Sequence, residues 1–406
     1  MNYPAWLPVL LGFLTAVGPL STDMYLPAFP AIEASLGGRP GTAQITLATW
    51  FAGLAIGQIT QGTLADRYGR RGPLVIGTAI YTLANAGCAL APDLFTLSLL
   101  RFVAAFGGSA SMVIPRAIVR DLADGHAAAH LMSRLMLVMG VAPILAPTLG
   151  GLVLGVAPWH AIFWLTTAYG AVCCALVWRF LPDTLPPARR MQLGLGNLAS
   201  RYAGVLRDPV FLAYAFMGGC GMFGMFAYIG GSPPVLIQRF AFSTVQYGML
   251  FGASAGAFIL SSQVNPRILP RFGAARVMRV GSLVYLAAAS TLTACAILQV
   301  GGVFGVVLPV VAAMGSMGFV MPNSAVGALS RHAAHAGSAS ALMGTIQFCL
   351  AALSGVLVGA LSDGTARPMA ALMLIGAVGV VLADRIRPKP APLPQPKLQQ
   401  TTDTLA

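Results

Sequence analysis

Apolar residues dominate this chain in long runs that short polar segments separate. The segments 211–231 and 300–320 are examples of such runs. A run of about 18 or more apolar residues predicts a helix that crosses a bilayer, because about 20 helical residues span about 30 Å of hydrocarbon. The runs lack the strict alternation of polar and apolar positions that barrel strands require. The pattern predicts twelve helical spans, at residues 5–27, 43–65, 73–91, 94–116, 131–155, 160–181, 210–231, 244–264, 278–299, 302–324, 337–361 and 368–384.

The charge distribution predicts the orientation of these spans. Charged residues make up only 9% of the chain, whereas a soluble protein is about 25% charged. Of the 24 Lys and Arg residues, Arg39, Arg239 and Arg367 fall in loops opposite the N-terminus, and Arg101 falls inside a span. The others lie on the N-terminal side, which predicts a bacterial inner-membrane protein with cytoplasmic N- and C-termini. The net charge of +13 therefore reports topology and does not indicate nucleic-acid binding.

A polar segment at residues 182–209 divides the predicted spans into two sets of six. We expect it to be a cytoplasmic linker between an N-terminal bundle at 1–181 and a C-terminal bundle at 210–384. The tail at 385–406 is rich in Pro, Gln and Thr, a composition typical of disordered cytoplasmic segments.

A short internal repeat agrees with this division. An Arg-aromatic-Gly sequence at Arg67–Gly69, after the second span, recurs at Arg271–Gly273, after the eighth. Similar motifs at the same place in two equal halves indicate a duplicated architecture.

The loop between the second and third spans carries the most specific motif. The run from Gly62 to Arg71, GTLADRYGRR, matches the Gly-x-Leu-x-Asp-Arg-x-Gly-Arg-Arg signature of the major facilitator superfamily at every specified position. The chain therefore resembles that superfamily, which implies an all-α membrane protein. The implied fold has twelve transmembrane helices in two pseudo-symmetric six-helix bundles.

Four further motifs resemble one branch of the superfamily, the Bcr/CflA exporters of bicyclomycin and chloramphenicol. They are STDMYLPAFP at 21–30, RAIVRD at 116–121, APILAPTLGG at 142–151 and GSASALMG at 337–344. This resemblance implies proton-coupled efflux of small lipophilic or amphipathic compounds by alternating access.

Asp23 and Arg101 are the predicted proton-coupling and substrate residues. Among the 11 acidic residues, Asp23 is the only one that we place within a hydrocarbon span, since the others fall in loops, at span ends or in the tail. Burial disfavours a charged carboxylate, so such an acid can load and release a proton as the cavity alternates. Arg101 lies at a similar predicted depth in span 4, and ion pairing would compete with protonation. An interior arginine here resembles the superfamily's span-4 motif, although Ala104 stands where relatives often have Gln.

The superfamily resemblance also implies a gate in loop 2–3. Glycines at two positions allow a sharp turn, and Asp66 is expected to dock near Gly337 and Ser338 at the start of span 11. Arginines in the loop would pair with acids or lipid headgroups. The predicted gating residues are Gly62, Asp66, Arg67, Gly69, Arg70 and Arg71.

Span 5 combines small residues with prolines, which permit close packing and bending. It resembles the antiporter motif of exporters, with Ala146 in place of the first glycine, and this favours export over import. The residues concerned are Gly140, Pro143, Ala146, Pro147, Gly150 and Gly151.

The substrate pocket is predicted from the superfamily's use of spans 1, 4, 7 and 10 to line its cavity. Flexible methionines and flat aromatic rings suit promiscuous binding of lipophilic molecules. The candidates are Tyr25, Met112, Phe216, Phe223, Phe226, Met314 and Phe319.

Other functions stay open on the sequence alone. A transporter of a defined metabolite, such as an amino acid or a sugar, would share the architecture. A membrane-embedded enzyme would need a catalytic cluster at membrane depth, which one interior acid does not supply, so we do not expect an enzyme. We expect no cofactor and no metal site. The expected partners are protons, membrane lipids and a small-molecule substrate, and the expected state is a monomer.

Overall fold

The computed structural model describes residues 6–39, 41–122, 125–190, 195–332 and 336–387, which are helices and short connections without a strand among them. The first span is divided into α1 (Leu7–Thr15), α2 (Val17–Asp23), a 3-10 turn (Leu26–Ala28) and α3 (Phe29–Ser35). The following helices are α4 (Ala43–Tyr68), α5 (Arg71–Ala89), α6 (Leu94–Leu122), α7 (Gly125–Leu154), α8 (His160–Phe180), α9 (Leu195–Leu206), α10 (Pro209–Pro233), α11 (Thr244–Phe272), α12 (Ala274–Leu298), α13 (Phe304–Leu329), α14 (Ala336–Leu361) and α15 (Arg367–Ile386).

The described helices include eight that are long and apolar enough to cross a membrane, counting α1–α3 as one. The other four long helices, α4, α5, α7 and α11, complete the twelve predicted positions. In α7, the segment Val141–Leu154 is apolar enough but shorter. The other long helices are less apolar because they contain buried polar residues, such as Gln44, Gln58 and Gln61 in α4. These residues are buried against protein, which tolerates them better than lipid does.

The two halves of the chain use the same helix pairings. Before the linker, α4 packs on α6, and α5 packs on α6 and α8. After it, α11 packs on α13, and α12 packs on α13 and α15. The halves meet where α4 lies along α14 and α7 lies along α11. The two inter-half contacts are themselves equivalent under the repeat.

Two glycine turns explain the repeated Arg-aromatic-Gly sequence. Gly69 connects α4 to α5 with φ +94°, and Gly273 connects α11 to α12 with φ +72°. Only glycine adopts such a conformation without strain. Each turn therefore requires glycine after the aromatic residue that ends the helix.

The first span differs from its predicted bounds of 5–27. It continues to Ser35, because the chain bends after Asp23 and then resumes a helical course. Pro27 and Pro30 cause the interruption, since proline has no backbone N–H to donate to the carbonyl four residues earlier. The sequence alone suggests that the first span ends at these prolines, because proline usually terminates a helix.

The linker contains more structure than a polar connection. It forms a 3-10 turn at Pro187–Arg189 and the amphipathic helix α9. Val205 of α9 is buried in a cluster with Phe211 and Leu342, so it packs against the second half of the chain. The C-terminal ends of α4 and α6 and the helix α9 lie on one face of the molecule, which we call the linker face. The turns before α4 and after α14 lie on the opposite face. Residues 388–406 of the predicted tail lie outside the described residues.

Candidate functional site

Asp23 lies at the broken point of the first span. It is the last residue of α2, and the chain turns there because the prolines that follow interrupt the helical hydrogen bonds. Its side chain is only 6% exposed. Among the described residues, no hydrogen bond or ion pair engages its carboxylate. Tyr247 of α11 lies close enough to Asp23 for an electrostatic interaction, which places the acid near the boundary between the two halves.

Arg101 of α6 lies in a box of aromatic rings. Its guanidinium carbon is 4.1 Å from the ring centroid of Tyr25, 4.2 Å from that of Trp50 and 5.8 Å from that of Phe163. The side chain is 1% exposed, and Nη2 donates to the carbonyl of Ser21 at 3.0 Å. The faces of aromatic rings attract cations, most strongly when water is excluded. They therefore compensate a charge that is buried away from bulk solvent.

The predicted competition between Asp23 and Arg101 is not a direct ion pair in this structure. The two side chains reach the same helix, since Arg101 bonds to Ser21, two residues before Asp23. Ser21 in turn pairs with the hydroxyl of Tyr81 at 2.5 Å. Arginine and acid thus lie at similar depth, as expected, but different groups hold the arginine.

Glu33 corrects the expectation that Asp23 is the single acid within a span. Glu33 lies on α3, in the continuation of the first span, and is 6% exposed. Its Oε1 accepts from the backbone N–H groups of Gly41 at 2.8 Å and Ala43 at 3.0 Å. Ala43 is the first residue of α4 and Gly41 lies in the turn before it, and the first N–H groups of a helix have no partners inside the helix. Glu33 is therefore a cap supplied by a neighbouring helix.

Loop 2–3 is the centre of a charged cluster on the linker face. Arg70 contacts Asp121 through Nε at 2.7 Å and Nη2 at 3.2 Å, and Asp66 through Nη1 at 2.5 Å. Its backbone N–H donates to Asp183 at 2.8 Å, and Asp183 pairs with Arg190 at 2.8 Å. Burial acts to lower the pKa of Arg70, but the bonds to Asp121 and Asp66 outweigh it and raise the pKa. This cluster ties together the linker-face ends of α4, α6 and α8.

The remaining positions of the loop have separate contacts. A Cβ on Gly69 would overlap the Asp183 carboxylate, so the glycine allows this acid to approach the backbone. Arg71 donates to the carbonyl of Trp178 at 2.5 Å, and Arg67 lies over the ring of Tyr68 at 5.5 Å. Gly62 packs loosely, since a Cβ there would lie 3.6 Å from Val113.

Asp66 faces the start of α14 across a cavity. The cavity has a volume of about 70 Å³, and Asp66, Gly337 and Ser338 all line it. Asp66 bonds to Arg70, and no bond joins it to a described side chain of α14. Tyr202 of the linker helix lines the same cavity. The structure thus places Asp66 around one cavity with Gly337 and Ser338, as expected for the gate, but not in direct contact with them.

The span-5 motif lies between the two halves. A Cβ on Gly150 would overlap the carbonyl oxygen of Met24, next to Asp23 at the break in span 1. A Cβ on Gly151 would come within 2.6 Å of the carbonyl oxygen of Thr244, the first residue of α11, whose hydroxyl donates to Gly151 at 3.2 Å. The glycine pair therefore lets α7 touch the acid-bearing segment on one side and the second half on the other.

The other motif positions also lie on α7. Pro143 and Pro147 are inside the helix, and Ala146 is fully buried. Gly140 belongs to the same helix.

The predicted pocket residues fall into different environments. Phe223 and Phe226 of α10 and Met314 of α13 are buried, and Phe216 is 48% exposed. Phe216 and Phe223 are seven residues apart and so share one face of α10. Tyr25 belongs to the arginine box, Met112 packs against Gly18, and Phe319 lies beside Gly281 of α12.

Several residues of the site were not identified from the sequence. Phe51 of α4 lies 4.1 Å from Phe226 and stacks at 6.0 Å on Phe348 of α14, so it connects the two halves. Trp50 and Phe163 surround Arg101. Apolar periodicity gives no sign of such roles, because aromatic residues also stand at exposed apolar positions, as Phe95 and Trp178 do.

Comparison with known families and relatives supports the resemblance found in the motifs. The model of the Major Facilitator Superfamily matches residues 11–356. The MFS-type transporter YdgK of Bacillus subtilis is 35% identical over 379 residues, covering 92% of each chain. The chloramphenicol resistance protein of Pseudomonas aeruginosa is 30% identical over 357 residues, covering 87% of this chain and 82% of that protein. The bicyclomycin resistance protein homolog of Haemophilus influenzae is 29% identical over 371 residues, covering 91% and 92%.

Solved structures share the fold at low sequence identity. The nucleoside transporter NupG superposes with a TM-score of 0.74 at 14% identity, covering 93% of this chain and 98% of that one. A D-xylose-proton symporter superposes with a TM-score of 0.72 at 15% identity, covering 94% and 95%. The twelve-helix prediction and the family resemblance are confirmed. This multi-pass membrane chain belongs to the Major Facilitator Superfamily.

Proposed function

We propose that the chain exports small lipophilic or amphipathic compounds in exchange for protons, in the manner of the Bcr/CflA exporters. The observation that carries the proposal is the buried Asp23 carboxylate, which has no hydrogen-bond or ion-pair partner among the described residues and lies at the break in span 1. The names of the bicyclomycin and chloramphenicol resistance relatives support drugs as the substrates.

Asp23 is the proton carrier in this proposal. A carboxyl group without a fixed partner is stable when neutral inside the protein and can ionise when water reaches it. The break after α2 supports this role, because the turn permits local movement that a continuous helix would resist. A proton bound from the opposite face would be released toward the linker face when the halves rock.

The contacts between the halves support alternating access. Thr345 of α14 donates to the carbonyl of Ala55 on α4 at 2.9 Å, and Thr244 bonds to Gly151 between α11 and α7. The Gly150–Gly151 pair lies at the latter contact, beside the acid. Protonation of Asp23 would therefore act on the same contact that must open for release. The loop 2–3 cluster would stabilise the linker-face end of the first half during this movement.

The substrate site would lie where Phe51 meets Phe226 and Phe348. These rings come from α4, α10 and α14, so they belong to both halves. Phe223 lies on the same helix as Phe226 and is buried near it. Aromatic faces bind flat lipophilic molecules through burial of apolar area and through stacking. The linker face would be cytoplasmic in a bacterial inner membrane, with export toward the opposite face.

A drug-susceptibility panel in an efflux-deficient host tests this function. Cells that express the wild-type chain should tolerate chloramphenicol, bicyclomycin or ethidium better than cells with an empty vector. Asp23→Asn should remove that tolerance, while Asp363→Asn, a change in an exposed loop acid, should keep it. A protonophore should raise ethidium accumulation in wild-type cells to the level of the Asp23→Asn cells.

Two outcomes would contradict the proposal. Equal ethidium accumulation with and without the proton gradient would remove the coupling. Growth differences on a panel of amino acids and sugars, with none on drugs, would assign a defined metabolite instead.

A further inference from the structure

The Arg101 box contains a residue whose presence burial alone does not explain. Trp50 of α4 is completely buried, yet its indole N–H has no hydrogen-bond partner among the described residues. A buried donor without a partner costs free energy, and phenylalanine would supply an apolar ring without that donor. The other feature of the indole is its electron-rich face, which is the strongest aromatic partner for a cation.

The indole face is used. The Arg101 guanidinium lies 4.2 Å from the Trp50 centroid and 4.1 Å from the Tyr25 centroid. Nε of Arg101 is buried without an acceptor, and within the described part of the chain no carboxylate pairs with this arginine. The aromatic faces and the Ser21 carbonyl therefore stabilise the Arg101 cation where an ion pair would otherwise need an acid.

The arrangement also separates the cation from Asp23. Arg101 approaches α2 at the backbone of Ser21, and residues two apart on a helix point to different sides. Among the described residues, the titratable groups that interact electrostatically with Arg101 are Tyr25, Tyr81 and Cys88, and Tyr247 interacts with Asp23. Tyrosine and cysteine side chains titrate in the alkaline range in water, so they do not supply a negative charge near neutral pH.

We propose that Trp50 is a positioning residue of the proton-coupling site. Its indole face holds the Arg101 cation away from Asp23, so that the carboxyl group remains free to exchange its proton. This inference rests on the proposed function, because it assigns Trp50 a role in the proton exchange at Asp23.

Removal of the indole face should shift the pH dependence of transport in one direction. An Arg101 cation that loses Trp50 turns to the nearest acid on α2. A cation beside Asp23 favours the charged carboxylate, so a higher proton concentration is needed to load it. Transport should therefore become active at lower pH.

The test is ethidium transport by the purified full-length chain in proteoliposomes, at a fixed proton gradient and with the absolute pH varied. Trp50→Leu should move the midpoint of the pH profile down by about one unit, which is a tenfold change in proton concentration. Trp50→Phe keeps a weaker aromatic face and should fall between Trp50→Leu and the wild type. Trp159→Leu is the matched control, because this buried indole donates to Ser35 at 2.7 Å and touches only the outermost ring of the box, Phe163.

The outcomes separate the two proposals. A wild-type profile without pH dependence sinks the proposed function and this inference with it. A pH-dependent wild type with an unmoved midpoint in the Trp50 variants, or with the same shift in Trp159→Leu, overturns the role of Trp50 and leaves proton coupling intact. If Trp50→Leu does not fold, Trp50→Phe decides, since it removes only the unpaired donor and part of the ring.

Discussion

Two buried arginines in the first half of the chain are compensated in opposite ways. Arg70 is 5% exposed and is surrounded by Asp66 and Asp121. Arg101 is 1% exposed and is surrounded by aromatic rings and a backbone carbonyl. The first arrangement pairs the cation with two carboxylates. The second leaves a nearby acid, Asp23, without a partner.

The difference follows from what each place must do. Carboxylates at the linker face retain some contact with water, as the 41% exposure of the Asp66 side chain indicates, so ion pairs there avoid the full cost of desolvation. If Asp23 exchanges protons as proposed, the same kind of pair there would favour its charged carboxylate and oppose the exchange. The groups around a buried arginine can thus indicate its role. An arginine paired with acids stabilises structure, and one paired with aromatic rings leaves a nearby acid free.

The largest expected effect comes from removing the cation of the charged cluster. Arg70→Met should lower the free energy of unfolding by about 3 kcal/mol, because Asp121 would be left as a partly buried charge without its partner. We take the low end of the range for breaking a buried ion pair, because Asp66 is partly exposed. Thermal unfolding of the detergent-solubilised chain measures it. Arg67→Met is the control, because the one interaction of Arg67 with a described side chain is over the Tyr68 ring, and its change should stay within about 0.5 kcal/mol.

The pH dependence of the same variant gives a second measurement. The pKa of Arg70 is raised in the fold, so its stabilisation is complete below the ordinary arginine pKa and is lost only as the pH rises through the higher folded value. The difference in stability between wild type and Arg70→Met should therefore be equal at pH 7 and pH 10. A difference that shrinks between these values would contradict the assignment.

A smaller effect is expected at the turn that brings Asp183 to this cluster. Gly69→Ala should cost about 2 kcal/mol, because φ is +94° and a Cβ would overlap the Asp183 carboxylate. Gly72→Ala is matched to it, three residues further on in α5, where a Cβ would meet nothing within 4 Å. That change should be neutral or stabilise by about 0.5 kcal/mol. Equal losses in the two variants would show that the turn does not need glycine.

The sequence predicted the parts of the molecule that depend on local pattern. Apolar runs located all twelve long helices, because membrane spans must be apolar and helical regardless of their neighbours. The Gly62–Arg71 motif located the charged cluster, and its glycine matched a backbone turn. Asp23 was recognised because an acid at that depth is costly and therefore unusual.

The features that the sequence did not predict depend on contacts between distant segments. The aromatic nature of the Arg101 box could not be read from Trp50 and Phe163, which are 113 residues apart in the sequence and look like ordinary apolar positions. Glu33 was placed in a loop, because Pro27 and Pro30 hid the continuation of the first span. The role of Asp121 as the acceptor for Arg70 was also absent, although its motif was noted.

The sharpest form of the comparison applies one substitution to both sites. Asp121→Asn should destabilise the chain by about 1.5 kcal/mol, because it removes the charge from two hydrogen bonds with Arg70. Asp23→Asn should leave stability unchanged within about 0.5 kcal/mol, since its carboxylate engages no partner in the described structure. Transport should respond in the reverse order, with Asp23→Asn losing proton-driven ethidium export and Asp121→Asn keeping it in the chains that fold. Unfolding curves and proteoliposome transport on the same two preparations provide both numbers. A large loss of stability in Asp23→Asn would mean that the acid is a structural partner after all, and the two arginines would then no longer represent two kinds of site.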